Sequence, residues 1–308
     1  MRQEKWTTAY IPDLTGKTII ITGGNSGLGF ESAKAFANKG AEVIIACRSL
    51  GRGEEAKKQI LVQNPKAVIE VMELDLEDLN SIKRFASRFK ESYDRLDILM
   101  NNAGIMTVPY GLTKDGFERQ FGTNHLGHFA LTGLLIEIIS KTPESRVVNV
   151  SSIAHKNGDV DFDNLLYENG RDYTPMKSYR RSKLANLLFT YELQRFFESR
   201  GIDSMAVAAH PGVSKTNLVR HIETKFIIRL FRPLLVLIIQ SAAIGALAQM
   251  RAAVDPDVKG GEYWGAHGYR EMSGYPVLVQ SNEISRNTET AGKLWEISEK
   301  LTGVVYQF

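Results

Sequence analysis

Tyr179 and Lys183 stand four residues apart in the string Ser178-Tyr179-Arg180-Arg181-Ser182-Lys183. At helical spacing their side chains share one face, which sets an ammonium beside a phenol. A free tyrosine has a pKa of about 10 and is a poor proton donor or acceptor at neutral pH. A neighbouring cation stabilises the phenolate, and bringing the group to pH ~7 takes roughly 4 kcal/mol of differential interaction. A tyrosine and a lysine at this spacing also occur by chance, so the pair takes its meaning from what precedes it.

A second chemical feature opens the chain. Thr22-Gly23-Gly24-Asn25-Ser26-Gly27-Leu28-Gly29 follows a strand-like run and leads into a helix-like one. In that context Gly23 permits a tight turn, Gly27 lets the backbone approach a pyrophosphate, and Gly29 allows a helix to pack closely on a sheet. The helix N-terminus then offers free N–H groups to phosphates. Folds of this kind that bind NAD end the second strand with an acidic residue on the ribose 2′-hydroxyl. Here that strand ends Ala46-Cys47-Arg48-Ser49, with Arg48 19 residues beyond Gly29. A guanidinium there suits a 2′-phosphate, so the expected cofactor is NADP(H). Arg52 is either a second contact or a solvated surface charge.

The elements that must position these groups follow from apolar patterning. Apolar runs of strand length at 18–22, 42–47, 68–74, 96–101, 146–151, 203–209 and about 262–264, most of them continuous, read as strands buried on both faces. Helical patterns lie between them at 26–39, 53–62, 79–91, 113–140, 178–199 and 241–253, with a last stripe at 288–301 capped by Asn287 and closed by Gly303. The alternation predicts an α/β chain forming a single Rossmann-type, doubly wound domain over 1–308. Its central parallel sheet has about seven strands, with helices on both faces.

Of 308 residues 43% are hydrophobic and 24% charged, with a net charge of +3, which excludes a disordered or collagen-like chain and gives no footprint for nucleic acid. The single cysteine, Cys47, excludes an internal disulfide and fits a reducing compartment. The N-terminus has no signal-peptide run, and the apolar stretch 226–250 is broken by Arg229, Arg232, Pro233 and Gln240, so no membrane span is expected. A cytoplasmic protein is expected. His125 and His128 lie three apart without a third ligand in evidence, so no metal is expected.

Several motifs in order carry a resemblance. Thr22-Gly23…Gly27…Gly29 is followed by Asp75 after the third strand, Asn101-Asn102-Ala103-Gly104 after the fourth, Asn124 in a long helix and Ser151-Ser152 after the fifth. Tyr179…Lys183 and Pro211-Gly212 complete the series. The chain resembles the short-chain dehydrogenase/reductase family over roughly residues 15–270. ACRS, NHLGHF, RVVNVSS, HPGV and KLWEISEKLTG are similar to its retinol-dehydrogenase-like and protochlorophyllide-reductase-like members. The resemblance implies that Tyr179 is the general acid in carbonyl reduction and the base in alcohol oxidation, with Ser152 orienting the substrate oxygen. It implies that Lys183 binds the nicotinamide ribose and lowers the phenol pKa, and that Asn124 holds a water in a proton relay. It further implies that Asp75 and Leu76 meet the adenine, Asn102, Ala103 and Gly104 the adenosine ribose side, and Pro211, Gly212 and Val213 the nicotinamide. Ser214 and Thr216 are implied at the amide or phosphates. Asp75 also reads as a cap of the helix that follows, and His155 and His210 as either substrate contacts or packed histidines.

The segment 214–240 occupies the family's substrate lid, and its large apolar side chains, Phe226 to Phe231 among them, point to a hydrophobic carbonyl or alcohol substrate. Lysines and arginines interleaved over 215–239 allow at most peripheral membrane contact. The 27 residues from Ser152 to Tyr179 form a long insertion. If 157–176 covers the catalytic helix, a monomer or dimer is expected in place of a tetramer. The alternatives are a catalytically idle NADP(H)-binding regulator of the same fold and a nucleotide-sugar epimerase or dehydratase on a related one.

Overall fold

The computed structural model describes residues 5–213 and 240–307. Eight strands form one sheet in the order β3-β2-β1-β4-β5-β6-β7-β8. They are β1 (Thr18–Thr22), β2 (Glu42–Cys47), β3 (Val68–Glu73), β4 (Ile98–Asn101), β5 (Ser145–Val150), β6 (Ser204–Ala209), β7 (Tyr263–Ala266) and β8 (Pro276–Leu278). The first seven pair in parallel, and β8 runs antiparallel to β7. The expected seven strands are thus present, and β8 adds an eighth whose three residues are too few to show a period in the sequence.

Successive residues of a strand face opposite sides, and the core divides accordingly. Ile19, Ile21, Val43 and Ile45 join Phe36 of α1 (Gly27–Ala37) and Ile60 of α2 (Leu50–Gln63) on one side. Ile20, Ile44, Leu99 and Val147 join Phe85 of α3 (Leu79–Ser92) and Phe189 of the long catalytic helix on the other. Burial on both sides is why these strands read as unbroken apolar runs. Strand order reverses between β1 and β4, the switch point at which such sheets hold ligands beyond their carboxyl ends.

The predicted helix over 113–140 starts later than expected. Thr113–Phe117 is a tight turn with Gly116 at φ +84°, α4 covers Arg119–Phe121, a π-helical segment Gly122–Leu126 follows, and α5 runs Gly127–Lys141. The catalytic helix, α6, covers Pro175–Ser199, starting earlier than expected because Thr174 accepts from the Lys177 N–H and Pro175 occupies the first turn. The helix predicted at 241–253 is divided into α7 (Ala242–Gly245) and α8 (Leu247–Val254). Glu283–Arg286 forms α9, and α10 (Thr288–Thr302) carries the expected Asn287 cap and a left-handed Gly303.

The insertion before α6 is anchored on it. Val160, Phe162, Leu165 and Leu166 meet Leu184, Ala185 and Leu188. The fully buried Arg181 donates to the carbonyls of Asn164 and Leu165 and pairs with Asp159 at 3.1 Å. The substrate-lid segment 214–239, with Ser214 and Thr216, lies outside the described residues. Among the described residues, no helix is long and apolar enough to cross a membrane.

Candidate active site

The end of β1, the turn after β4, the π-helical segment and the first two turns of α6 meet at the switch point. Tyr179 and Lys183 are both buried on α6, the Lys183 nitrogen standing 5.8 Å from the Tyr179 ring. Lys183 Nζ donates to the Val150 carbonyl at 2.9 Å, and its backbone carbonyl accepts from Ser151 Oγ at 2.8 Å, so the end of β5 fixes this turn of helix. Ser152 does two things. Its hydroxyl accepts from the Ala154 N–H at 3.2 Å, capping a 3₁₀ turn, and it opposes the effect of burial on the Tyr179 phenol.

The protonation states follow from burial. Desolvation pushes the Tyr179 phenol above its ordinary value, against the opposing Ser152 hydrogen bond, and pushes the Lys183 ammonium down to about 8. Burial and Ser152 are the two influences on this phenol, and burial is the larger. A protonated phenol is the form that donates a proton.

Asn124 is wholly buried, and both ends of its side-chain amide are engaged. Its Oδ1 accepts from Ile105 N and its Nδ2 donates to Ile105 O and Ser182 Oγ, each at 2.9 Å. It clamps the turn after β4 onto the catalytic helix. A Cβ on Gly104 would sit 3.1 Å from Asn124 Oδ1 and 3.5 Å from Lys183 Nζ, so the three residues converge as the motif order implied.

The cofactor side forms a cleft lined by Thr22, Gly23, Asn25, Ser26, Arg48 and Arg52, facing Asp75, Leu76, Ala103 and Gly104. Gly23 and Gly27 adopt φ of +65° and +55°, which side chains resist. A Cβ on Gly29 would fall 2.5 Å from the Gly23 carbonyl oxygen, so this glycine serves helix-on-loop packing. These features fit a dinucleotide laid over the α1 N-terminus. Leu28 points into the core, leaving only its backbone for the cleft, and Asn102 is spent on structure: its amide donates to Thr22 O at 2.7 Å and accepts from Gln249 at 3.1 Å. Asp75 is not the cap of α3. Asp78 takes that place, while Asp75 accepts from the Glu77 N–H.

After β6, where the nicotinamide was expected, Gly212 is left-handed at φ +65°, and its N–H donates to His210 Nδ1 at 3.2 Å. Val213 N donates to Met272 O at 2.6 Å, and Gln240 donates to Pro211 O, a contact with no signal in the sequence. The open question over two histidines is answered in favour of packing. His155 Nδ1 donates to Ser152 O at 2.6 Å, and His210 Nε2 meets Glu271 at 3.1 Å. Burial pushes the His155 ring down to about 4 and lowers His210 as well. Among the described residues no cluster of three or more His, Cys, Asp or Glu could hold a metal, and His125 turns to Ser298 while His128 turns to Thr22. Cys47 is buried, and desolvation raises its thiol pKa.

Glu77 and Arg119 were not foreseen. Glu77 Oε1 meets Arg48 at 3.2 Å and Oε2 meets Arg119 at 3.3 Å, so Arg48 is tied across the cleft mouth. Only a carboxylate far along the chain brings this about, and no local pattern announces it.

Comparison with known proteins decides the family. The short chain dehydrogenase family model matches residues 17–226. The chain is a short-chain dehydrogenase. It is 40% identical to human retinol dehydrogenase 12 over 299 residues, 96% of this chain and 89% of that one. Human retinol dehydrogenase 14 is 40% identical over 306 residues, 94% of this chain and 87% of that one. An uncharacterised protein from Mycobacterium paratuberculosis, known from its crystal structure, superposes with a TM-score of 0.82 at 40% identity, over 99% of this chain and all of that one. A short chain dehydrogenase from Shigella flexneri in complex with NADP shares the fold, with a TM-score of 0.63 at 19% identity over 82% of this chain and 97% of that one. This short-chain dehydrogenase thus belongs to a family of oxidoreductases that use a nicotinamide cofactor, and it resembles the retinol dehydrogenases throughout its length.

Proposed function

We propose that the chain transfers a hydride between NADP(H) and the carbonyl or alcohol carbon of a hydrophobic substrate, with retinoids the first class to test. The observation that carries this reading is the meeting of Ser152 with the buried Tyr179 and Lys183 beside Gly104 and the π-helical segment. The dinucleotide supplies the hydride. Tyr179, protonated by virtue of its burial, donates its proton to the substrate oxygen in reduction. The Ser152 hydroxyl holds the oxygen in place beside that phenol, and Lys183, a cation below about pH 8, holds the nicotinamide ribose and offsets the charge left on the phenolate. Arg48 and Arg52 line the adenosine end, and Arg48 supports NADP(H) over NAD(H) through a 2′-phosphate contact.

A monomer or dimer accompanies this reading, because the insertion shields α6 with Phe162, Leu165 and Leu166; light scattering that shows a tight tetramer overturns it. A cytoplasmic location, with peripheral membrane contact at most, is tested by fractionation without detergent. For the activity, the experiment is a panel of ketones, aldehydes and retinoids followed by NADPH absorbance with NADH in parallel. Turnover of apolar carbonyls with NADPH is expected. NADPH binding without turnover of any of them favours the idle regulator instead.

A further inference from the structure

His128 lies on α5, wholly inside the protein and outside every role described above. Its Nδ1 is 3.0 Å from the Asn124 carbonyl oxygen, and its Nε2 is 2.9 Å from Thr22 Oγ1. A carbonyl only accepts, so the ring proton sits on Nδ1. Nε2 is then a bare acceptor, and the Thr22 hydroxyl must donate to it. A hydroxyl has one proton and two lone pairs. Thr22 uses both lone pairs as well, accepting from Asn102 N and Ala103 N at 2.9 Å each. Every polar atom in this chain of contacts is satisfied.

Two parts of the site thereby hang on one ring. On the Thr22 side are the residues that shape the cofactor cleft, Ala103 lining it and Asn102 bracing it. On the Asn124 side is the π-helical segment whose side chain clamps Ile105 to Ser182, one residue before Lys183. Without the ring, the Thr22 proton falls back on the Met100 carbonyl at 3.3 Å, and its lone pairs turn away from the two N–H groups.

We propose that His128 is a positioning residue that sets the cofactor cleft and the catalytic helix in register, acting through Thr22 toward one and through the Asn124 carbonyl toward the other. The inference rests on the reading of the site as an NADP(H)-dependent oxidoreductase centre. It predicts that the two effects can be separated. Asparagine presents polar atoms where Nδ1 stands and nothing as far out as Nε2, whereas glutamine presents them only at the outer position.

The experiment measures NADPH Kd by fluorescence titration, kcat at saturating NADPH, and thermal unfolding for wild type, H128N and H128Q. In H128N the Kd rises about tenfold, the scale of one buried hydrogen bond, while kcat falls by no more than about threefold. In H128Q the Kd stays within about threefold and kcat falls about tenfold. Equal losses in both variants, or losses that follow only the unfolding temperature, overturn the inference and leave His128 a structural residue. If wild type binds NADPH but reduces no carbonyl, the functional reading fails by itself. The Kd arm still decides the inference, which then falls if H128N and H128Q bind alike.

Discussion

Arg48 Nη1 lies 3.2 Å from Glu77 Oε1, so the cation assigned to the cofactor's 2′-phosphate is held by a carboxylate of its own chain. The pair sits at the cleft mouth, with the arginine side chain 61% exposed and the glutamate 18%. Surface pairs of this kind hold weakly, within about 1 kcal/mol, so on the proposed reading a 2′-phosphate is expected to displace the carboxylate.

Substitution at this pair separates the two cofactors. Arg48→Ala raises KM for NADPH by about 10- to 100-fold, the scale of a charge-assisted hydrogen bond, and leaves KM for NADH within about threefold. Glu77→Gln frees Arg48 and lowers KM for NADPH by about two- to threefold. Steady-state titrations with both dinucleotides check this, and equal responses to the two would remove Arg48 from cofactor choice.

Tyr179→Phe deletes the proton donor and little else. kcat falls by about 10²–10⁴, the usual contribution of general acid–base catalysis, while NADPH binding stays within about twofold. Single-turnover kinetics beside a binding titration separates the two quantities. A phenylalanine variant that keeps its rate would assign proton transfer elsewhere.

The rate of reduction depends on Lys183 remaining charged. Burial holds its ammonium down to about 8, well below an exposed lysine. kcat/KM is therefore level below that value and descends above it. A pH–rate profile checks the limb, and Lys183→Arg moves it out of the measurable range in whatever activity remains, because a guanidinium stays charged.

Acid weakens the fold in a window set by buried histidines. Desolvation holds the rings of His128 and His155 down to about 4 and that of His125 to about 3, from an ordinary 6.5. Between those values the unfolded chain binds more protons than the folded one, so stability drops as pH falls from 6.5 toward 4. Each ring contributes up to about 1.4 kcal/mol per pH unit there. Urea unfolding between neutral pH and about pH 5 reads the slope, and H128Q makes it shallower by one group.

Gly29→Ala tests the loop packing. The added Cβ would meet the Gly23 carbonyl oxygen at 2.5 Å and Asn102 Nδ2 at 2.6 Å, and the first is backbone that cannot swing aside. Destabilisation of roughly 1–3 kcal/mol is expected, together with weakened NADPH binding. Chemical denaturation and a cofactor titration measure both.

The residue pattern alone determined the sheet and where its chemistry would gather. Both faces of β1 and β2 are covered, so Ile19–Ile21 and Val43–Cys47 appear as unbroken apolar runs, and glycines between β1 and α1 announce a phosphate loop whatever lies elsewhere. Tyr179 and Lys183 are readable because a helix converts a spacing of four into a shared face. Tertiary structure decided the partners of those groups. Glu77 reaches Arg48 across 29 residues, Asn124 is taken by Ile105 and Ser182, and His128 finds Thr22 across 106. It also set the phenol in a buried place, which raises its pKa. Periodicity records which side of an element faces the core, a local property. Which polar atom meets which depends on the crossings that bring distant strands and helices together, and no local spacing encodes those.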